Sequence, residues 1–191
     1  NLVSPTHYGL TIKKALDIYR PNIPIVYNSN GYENIETLKL LQGYIDIFLL
    51  DFKYFDDEKA FKYSSAKDYP KVAKTTILEA CRQQPDCVFE NGIMQKGVII
   101  RHLLMPQATN DAIKIFDWVK ENTQNPYLSL MGQYIPFGGA VNIKPINRKV
   151  TKREYEKVLD YILSSGFENV FIQQLNSADE KFIPEFDLSG V

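Results

Sequence analysis

Two charged side chains close the most apolar stretch of the chain. Residues 44–50, Tyr44 to Leu50, run into Asp51-Phe52-Lys53, and such a run between helical patterns reads as a buried parallel strand delivering its C-terminal tip to a site. Side chains alternate along a strand, so Leu49, Asp51 and Lys53 share one face while Phe48, Leu50 and Phe52 share the other. A carboxylate and an amine on one face can hold a polar ligand between them, or the amine can serve as a Schiff-base nucleophile. The plainer reading is that both residues only mark where the strand leaves the core. Arg101 and His102 interrupt a second apolar run, and Arg101 is the site candidate of the two. His102 falls on the opposite face and reads as a core histidine. Asn28-Ser29-Asn30, Thr6-His7-Tyr8 and Gln133-Tyr134 add polar groups at the ends of other short apolar runs.

The remaining reactive types carry less. Cys81 and Cys87 are separated by five residues, a spacing that makes neither a metal-ligand pair nor a disulfide framework, and both read as small buried hydrophobes. Asp56-Asp57-Glu58 reads as a solvated helix start, since carboxylates suit the partial positive charge there.

The elements that must position these groups alternate between strand and helix. Asn1 to Ser4 reads as the end of a strand, and Leu10 to Tyr19 as a helix stopped by Pro21 and Pro24. Ile23 to Tyr27 forms the next strand, followed by a turn at Asn28 to Gly31 and a helix capped by Asn34. After Lys53 come helices from Asp56 and from Tyr69 to Gln83, then a hairpin about Asn91-Gly92 and a strand from Gly97 to Met105. A helix through Trp118, a strand from Tyr127 to Met131, a helix opened by the capping box Thr151-Lys152-Arg153-Glu154 and a strand from Asn169 to Gln173 complete the pattern. About six strands alternating with helices predict an α/β fold of parallel βαβ units. In such folds ligands meet the C-terminal ends of the strands, and every polar cluster named above falls there. The expected division is a domain over 1–175 and an irregular, acidic tail over 176–191.

Composition bounds the rest. The chain has 191 residues, 45% of them hydrophobic, with 24% charged and a net charge of −1, the balance of an ordinary globular protein. No basic block dominates the sequence, which argues against nucleic acid or a membrane surface as partner. No apolar run is long enough to span a bilayer and no signal-peptide pattern is present, so the expected setting is the reducing cytoplasm.

Taken in order, the strand ends resemble those of radical S-adenosylmethionine enzymes of the pyruvate formate-lyase activating type. Asn28-Ser29-Asn30-Gly31 is similar to their Asp-Thr-Asn-Gly strand end, and Leu49 to Lys53 to their Asp-x-Lys strand. Ile100-Arg101-His102-Leu103-Leu104-Met105-Pro106 is similar to the arginine-bearing strand that follows. Ser4 to Tyr8, Asn28 to Tyr32, Leu50 to Tyr54 and Ile99 to Leu103 resemble more closely still an uncharacterised subgroup of activating-enzyme homologues. The likeness covers nearly the whole chain.

That resemblance implies a partial (β/α) barrel, TIM-like, lacking its first strand, and the cofactors S-adenosylmethionine and a [4Fe-4S] cluster. Lys53 and Arg101 would hold the cofactor's carboxylate, Asn28, Ser29 and Asp51 would face it, and Tyr134 would lie near the ribose. The family's Cys-x-x-x-Cys-x-x-Cys loop is absent, so the cluster ligands are missing and the chain alone is expected to be inactive. A Gly-Gly-Glu segment of the family is replaced by Thr6-His7-Tyr8. The sequence starts at Asn1, inside an expected strand, which suggests a piece of a longer protein. The implied partner is a glycyl-radical enzyme or a small molecule. A barrel open at its first strand further predicts self-association or a covered edge. The residues alone leave two alternatives: a barrel aldolase or isomerase using Lys53 as its amine, and a non-catalytic binding or scaffold fragment.

Overall fold

The structure, a computed structural model, describes residues 1–124 and 126–173. The expected acidic tail over 176–191 lies outside the described residues. Strands β1 (Leu2–Val3), β2 (Val26–Ser29), β3 (Ile47–Asp51), β4 (Val88–Glu90), β5 (Ile93–Leu103), β6 (Tyr127–Met131) and β7 (Val170–Ile172) alternate with helices. The helices are α1 (Gly9–Ile18), α2 (Ile35–Leu40), α3 (Asp57–Ser64), α4 (Tyr69–Gln83), α5 (Thr109–Asn122) and α6 (Lys152–Ser164).

Local chemistry sets several of these boundaries. The Asn34 side chain accepts the Glu36 N–H at 2.8 Å and starts α2, and the Asp56 carboxylate accepts the Lys59 N–H at 3.0 Å and starts α3; both satisfy donors that a helix end leaves orphaned. Thr151 and Glu154 form the reciprocal capping box that opens α6. Asn91 and Gly92 both hold positive φ, 51° and 79°, the geometry a two-residue turn needs to follow the twist of β4 and β5.

The sheet order is β1-β2-β3-β5-β6-β7, with β4 antiparallel on β5. Every other pairing is parallel, as strand–helix alternation demands. Among the described residues the sheet does not close, and β1 and β7 form its two edges. This is the expected α/β architecture, a partial barrel. At its lower end Arg20 holds Asp46 through both carboxylate oxygens at 2.9 and 3.0 Å, and Asp46 also accepts the Ile25 N–H at 2.8 Å.

The two faces differ sharply. Tyr27, Phe48, Leu50, Phe52, Val98, Ile100, Leu128 and Leu130 point to one side and are buried with side chains of the helices, the long apolar runs of a covered parallel sheet. The alternate positions, among them Asn28, Leu49, Asp51, Ile99, Arg101 and Met131, are only half-buried. They form the open, inner face. Among the described residues no helix is long and apolar enough to cross a membrane.

Two buried groups lock the upper ends of the strands on the covered side. The Tyr69 hydroxyl, at the start of α4, bonds the carbonyls of Asn30 and Asp51 and the N–H of Lys53, all at 2.9 Å. One atom thereby joins the turn after β2 to the tip of β3. Beside it Gly31 sits at φ 80°, and a Cβ there would come within 2.2 Å of the Asp51 carbonyl oxygen. His102 is the second lock. It is 1% exposed, its Nδ1 hydrogen-bonds the Phe52 carbonyl at 2.8 Å, and its ring stands edge-on to Phe116. This is the core histidine anticipated from the face it occupies, and burial holds its pKa below the ordinary 6.5.

Gly31→Ala is expected to lower stability by about 2 kcal/mol or more, read from urea denaturation, because the new methyl meets backbone and the φ is strained. His102 titrates with a definite sign. Its folded form resists the proton, so below about pH 6.5 the unfolded chain binds more protons; full stability above that pH is lost as pH falls, with a slope approaching about 1.4 kcal/mol per unit. Urea midpoints between pH 5.5 and 7.5 should show this slope in the native chain and a much smaller one in His102→Gln. An unchanged slope would assign it elsewhere.

Candidate functional site

The residues that alternation turns toward the open face converge at the C-terminal edge of the sheet. The pairing register sets Asn28 of β2 beside Leu49, and Asp51 at the end of β3 directly beside Arg101 of β5. The Arg101 guanidinium spans the two strands: Nε donates to Asp51 Oδ1 at 2.8 Å and Nη2 to Asn28 Oδ1 at 2.7 Å. Lys53, just past the strand, stands 3.6 Å from Asp51 Oδ2. Asn28, Asp51, Lys53 and Arg101 thus form one cluster, as their positions in the sequence predict.

Its electrostatics are uneven. Two cations share one carboxylate, leaving a positive surplus among half-buried side chains, which favours an anion. Arg101 is committed in direction by two partners, whereas the Lys53 side chain is 40% exposed and retains donors for a ligand. Below the polar tips, Val26, Leu49 and Ile99 supply an apolar floor. The rings of Phe89, Tyr127 and Phe171, with centroids 5.1 and 5.0 Å apart, form its base. Cationic tips, apolar floor and aromatic base together describe a groove suited to a ligand with a charged end and a flat, less polar body.

One expected member faces the other way. Ser29 does not share the pocket with Asn28: it is the next residue on the strand, so it faces the covered side, 2% exposed, and its hydroxyl bonds Glu33. Tyr134, expected near a ribose, is buried and donates its hydroxyl to the Ile146 carbonyl at 2.8 Å. His7 is exposed on the short 3₁₀ turn Pro5–Tyr8 and makes no hydrogen bond among the described residues.

Glu33 is the residue that sequence reasoning missed. It is 4% exposed and accepts from Thr6 Oγ1 at 2.7 Å, from the Tyr27 hydroxyl at 2.8 Å and from Ser29 Oγ. Ser29 Oγ in turn accepts the Gly31 N–H at 3.0 Å. A buried carboxylate so supplied ties the turn after β1 to the tip of β2, and the burial pushes the Tyr27 phenol's pKa far up. The signal that could have found it is the company of Thr6, Tyr27 and Ser29, three hydroxyls on adjacent strand ends in need of one acceptor.

A metal centre finds no ligands here. Among the described residues no group of three or more His, Cys, Asp or Glu could hold an ion. Cys81 lies near the end of α4 and Cys87 just before β4, at the opposite end of the sheet from the cluster. Burial pushes the Cys81 thiol up to about 12, which keeps it from acting as a thiolate.

No family model matches the chain. An uncharacterized protein of Methanocaldococcus jannaschii, MJ0674, is 36% identical over 157 residues, covering 82% of this chain and 43% of that protein. The chain therefore spans less than half the length of this relative. The crystal structure of a domain of pyruvate-formate lyase-activating enzyme from Bacteroides vulgatus superposes with a TM-score of 0.60 at 10% identity, over 89% of this chain and 91% of that one. The fold of the chain is the fold of that activating-enzyme domain.

Proposed function

We propose that this chain is the core of a radical S-adenosylmethionine enzyme of the pyruvate formate-lyase activating type. The observation that supports the reading is the single cluster of Asn28, Asp51, Lys53 and Arg101 on the open face of an unclosed α/β barrel. An amino acid carries a carboxylate and an ammonium side by side. Lys53 and Arg101 suit the first: Lys53 retains donors, and Arg101, whose Nε and Nη2 bond Asp51 and Asn28, keeps its Nη1 hydrogens and its charge for the ligand. Asp51 Oδ2, reached by Lys53 alone at 3.6 Å, suits the second. The apolar floor and the aromatic base suit a nucleoside. Ser29 drops out of the cofactor-holding set, since it is buried on the covered side against Glu33, and Tyr134 keeps its proposed place near the ribose.

When bound, S-adenosylmethionine supplies such enzymes with a 5′-deoxyadenosyl radical that abstracts hydrogen from a substrate. The [4Fe-4S] centre that delivers the electron does not fit the described cysteines, and no step is assigned to it on this chain. In this reading the longer protein provides the cluster. The hydrogen donor is a glycyl-radical enzyme or a small molecule, and the setting is a reducing cytoplasm.

Calorimetric titration of the chain with S-adenosylmethionine tests the reading. Binding is expected, weakened about tenfold by Lys53→Ala or Arg101→Met, the worth of one charge-assisted hydrogen bond. 5′-Deoxyadenosine, which lacks the amino acid, should bind equally to the native chain and to Lys53→Ala. Absence of S-adenosylmethionine binding, or equal loss for both ligands, would remove the proposal.

A further inference from the structure

Glu33 sits on the loop between β2 and α2, 4% exposed and without an ion pair among the described residues. Burying a carboxylate without a cation is costly, and a glutamine of the same length would hold a loop at less cost. What an amide cannot do is accept at both of its polar atoms. Glu33 Oε1 accepts from Thr6 Oγ1 at 2.7 Å and from Ser29 Oγ, while Oε2 accepts from the Tyr27 hydroxyl at 2.8 Å. Three hydroxyls donating to the two ends of one side chain need two acceptor oxygens, which a carboxylate has and an amide lacks.

The residues so held flank one member of the charged cluster. Tyr27 and Ser29 are the neighbours of Asn28 on β2, and alternation sends both to the covered side while Asn28 faces the open one. Glu33 therefore grips the strand from behind on either side of Asn28. The Ser4 N–H, in the turn after β1, donates to the Asn28 carbonyl at 2.9 Å, and Thr6 ties that same turn to Glu33. With its backbone held in this way, Asn28 offers Oδ1 to Arg101 Nη2 at 2.7 Å. A guanidinium is planar, so this bond and the 2.8 Å bond from Nε to Asp51 together fix its plane, and with it the direction of Nη1.

We infer that Glu33 is a positioning residue of the groove. By holding Tyr27 and Ser29 it sets Asn28, and through Asn28 it aims the Arg101 Nη1 hydrogens at the carboxylate of the ligand. Glu33 itself touches no ligand. That the ligand is S-adenosylmethionine rests on the function proposed above; that Glu33 aims Arg101 does not. A part played in stability alone predicts something different, since a change at Glu33 would then loosen the Arg101 side chain no more than an equally destabilising change elsewhere.

Two readouts on the full chain test this. The first needs no ligand. Solvent exchange of the Arg101 Nε–H, followed by NMR, is expected to quicken at least about fivefold in Glu33→Gln and in Tyr27→Phe, because the plane then loses its hold on the Asn28 side. Val158→Ala, a core change on α6 that also lowers the melting temperature, should leave that exchange within about twofold of the native rate. The second readout is calorimetric affinity. S-Adenosylmethionine binding should weaken about fivefold in Glu33→Gln with 5′-deoxyadenosine binding unchanged, and in an Asn28→Ala background the same change should cost less than about twofold more. Should Glu33→Gln not fold, Tyr27→Phe, which keeps the ring packed on Phe48, carries both readouts. Native exchange rates in the variants would overturn the inference, as would a loss of affinity equally large with and without Asn28→Ala. A native chain that binds no S-adenosylmethionine removes the proposed function, and the exchange rates alone then decide the role of Glu33.

Discussion

The arrangement depends on one guanidinium shared between two strands. Arg101 donates from β5 to Asp51 on β3 and past it to Asn28 on β2. An arginine held over the inner face of a sheet loses hydration, and only partners already fixed in place return that cost. Here the partners are fixed from behind. The Tyr69 hydroxyl grips the backbone of Asn30, Asp51 and Lys53, and His102 grips the next carbonyl, that of Phe52. The strand tips cannot shift apart without breaking bonds on the covered side, so the charged cluster on the open side is organised before any ligand arrives.

The two faces of the same tips thus solve opposite problems. On the covered side Glu33 has no cation partner among the described residues and is satisfied by hydroxyls from Thr6, Tyr27 and Ser29, a bonded network that tolerates burial. On the open side the network is incomplete by construction. Lys53 is half out in solvent, Asp51 keeps one oxygen toward it at 3.6 Å, and positive charge exceeds negative. An incomplete polar network at the rim of an apolar groove is what a binding site requires, whereas the same deficit under the helices would cost stability.

Period-two alternation made most of this legible from sequence, and the same rule explains what went wrong. Alternation puts Asp51 and Lys53 on one face and sets Arg101 opposite His102, and the structure brings Asp51, Lys53 and Arg101 within hydrogen-bonding or ion-pairing distance. Ser29 was grouped with Asn28 by motif, although adjacent strand residues cannot face the same way. Asn91-Gly92, Asn34 and the Thr151–Glu154 box were readable because turn and cap chemistry is local. Glu33 and Tyr69 were not. Tyr69 bonds a carbonyl 39 residues away and Glu33 a hydroxyl 27 residues away, and those distant partners lie outside any short window of sequence.

The comparisons constrain function less than they constrain shape, and the reason is physical. A TM-score of 0.60 at 10% identity means that a sheet order and its helices have been kept while nearly every side chain has changed. What such a scaffold preserves is location: the C-terminal edge of a parallel sheet gathers side chains and loop backbones from several strands at one place, whatever their chemistry. The chemistry must then be argued from the groups actually present. In this chain they are a fixed arginine, a lysine with an exposed end and one carboxylate above apolar side chains, and the proposed function rests on how well that set suits a small zwitterion. The thiols are at the other end of the molecule and one of them is buried beyond ionisation. The face that carries the charged set is also the one left uncovered by the helices.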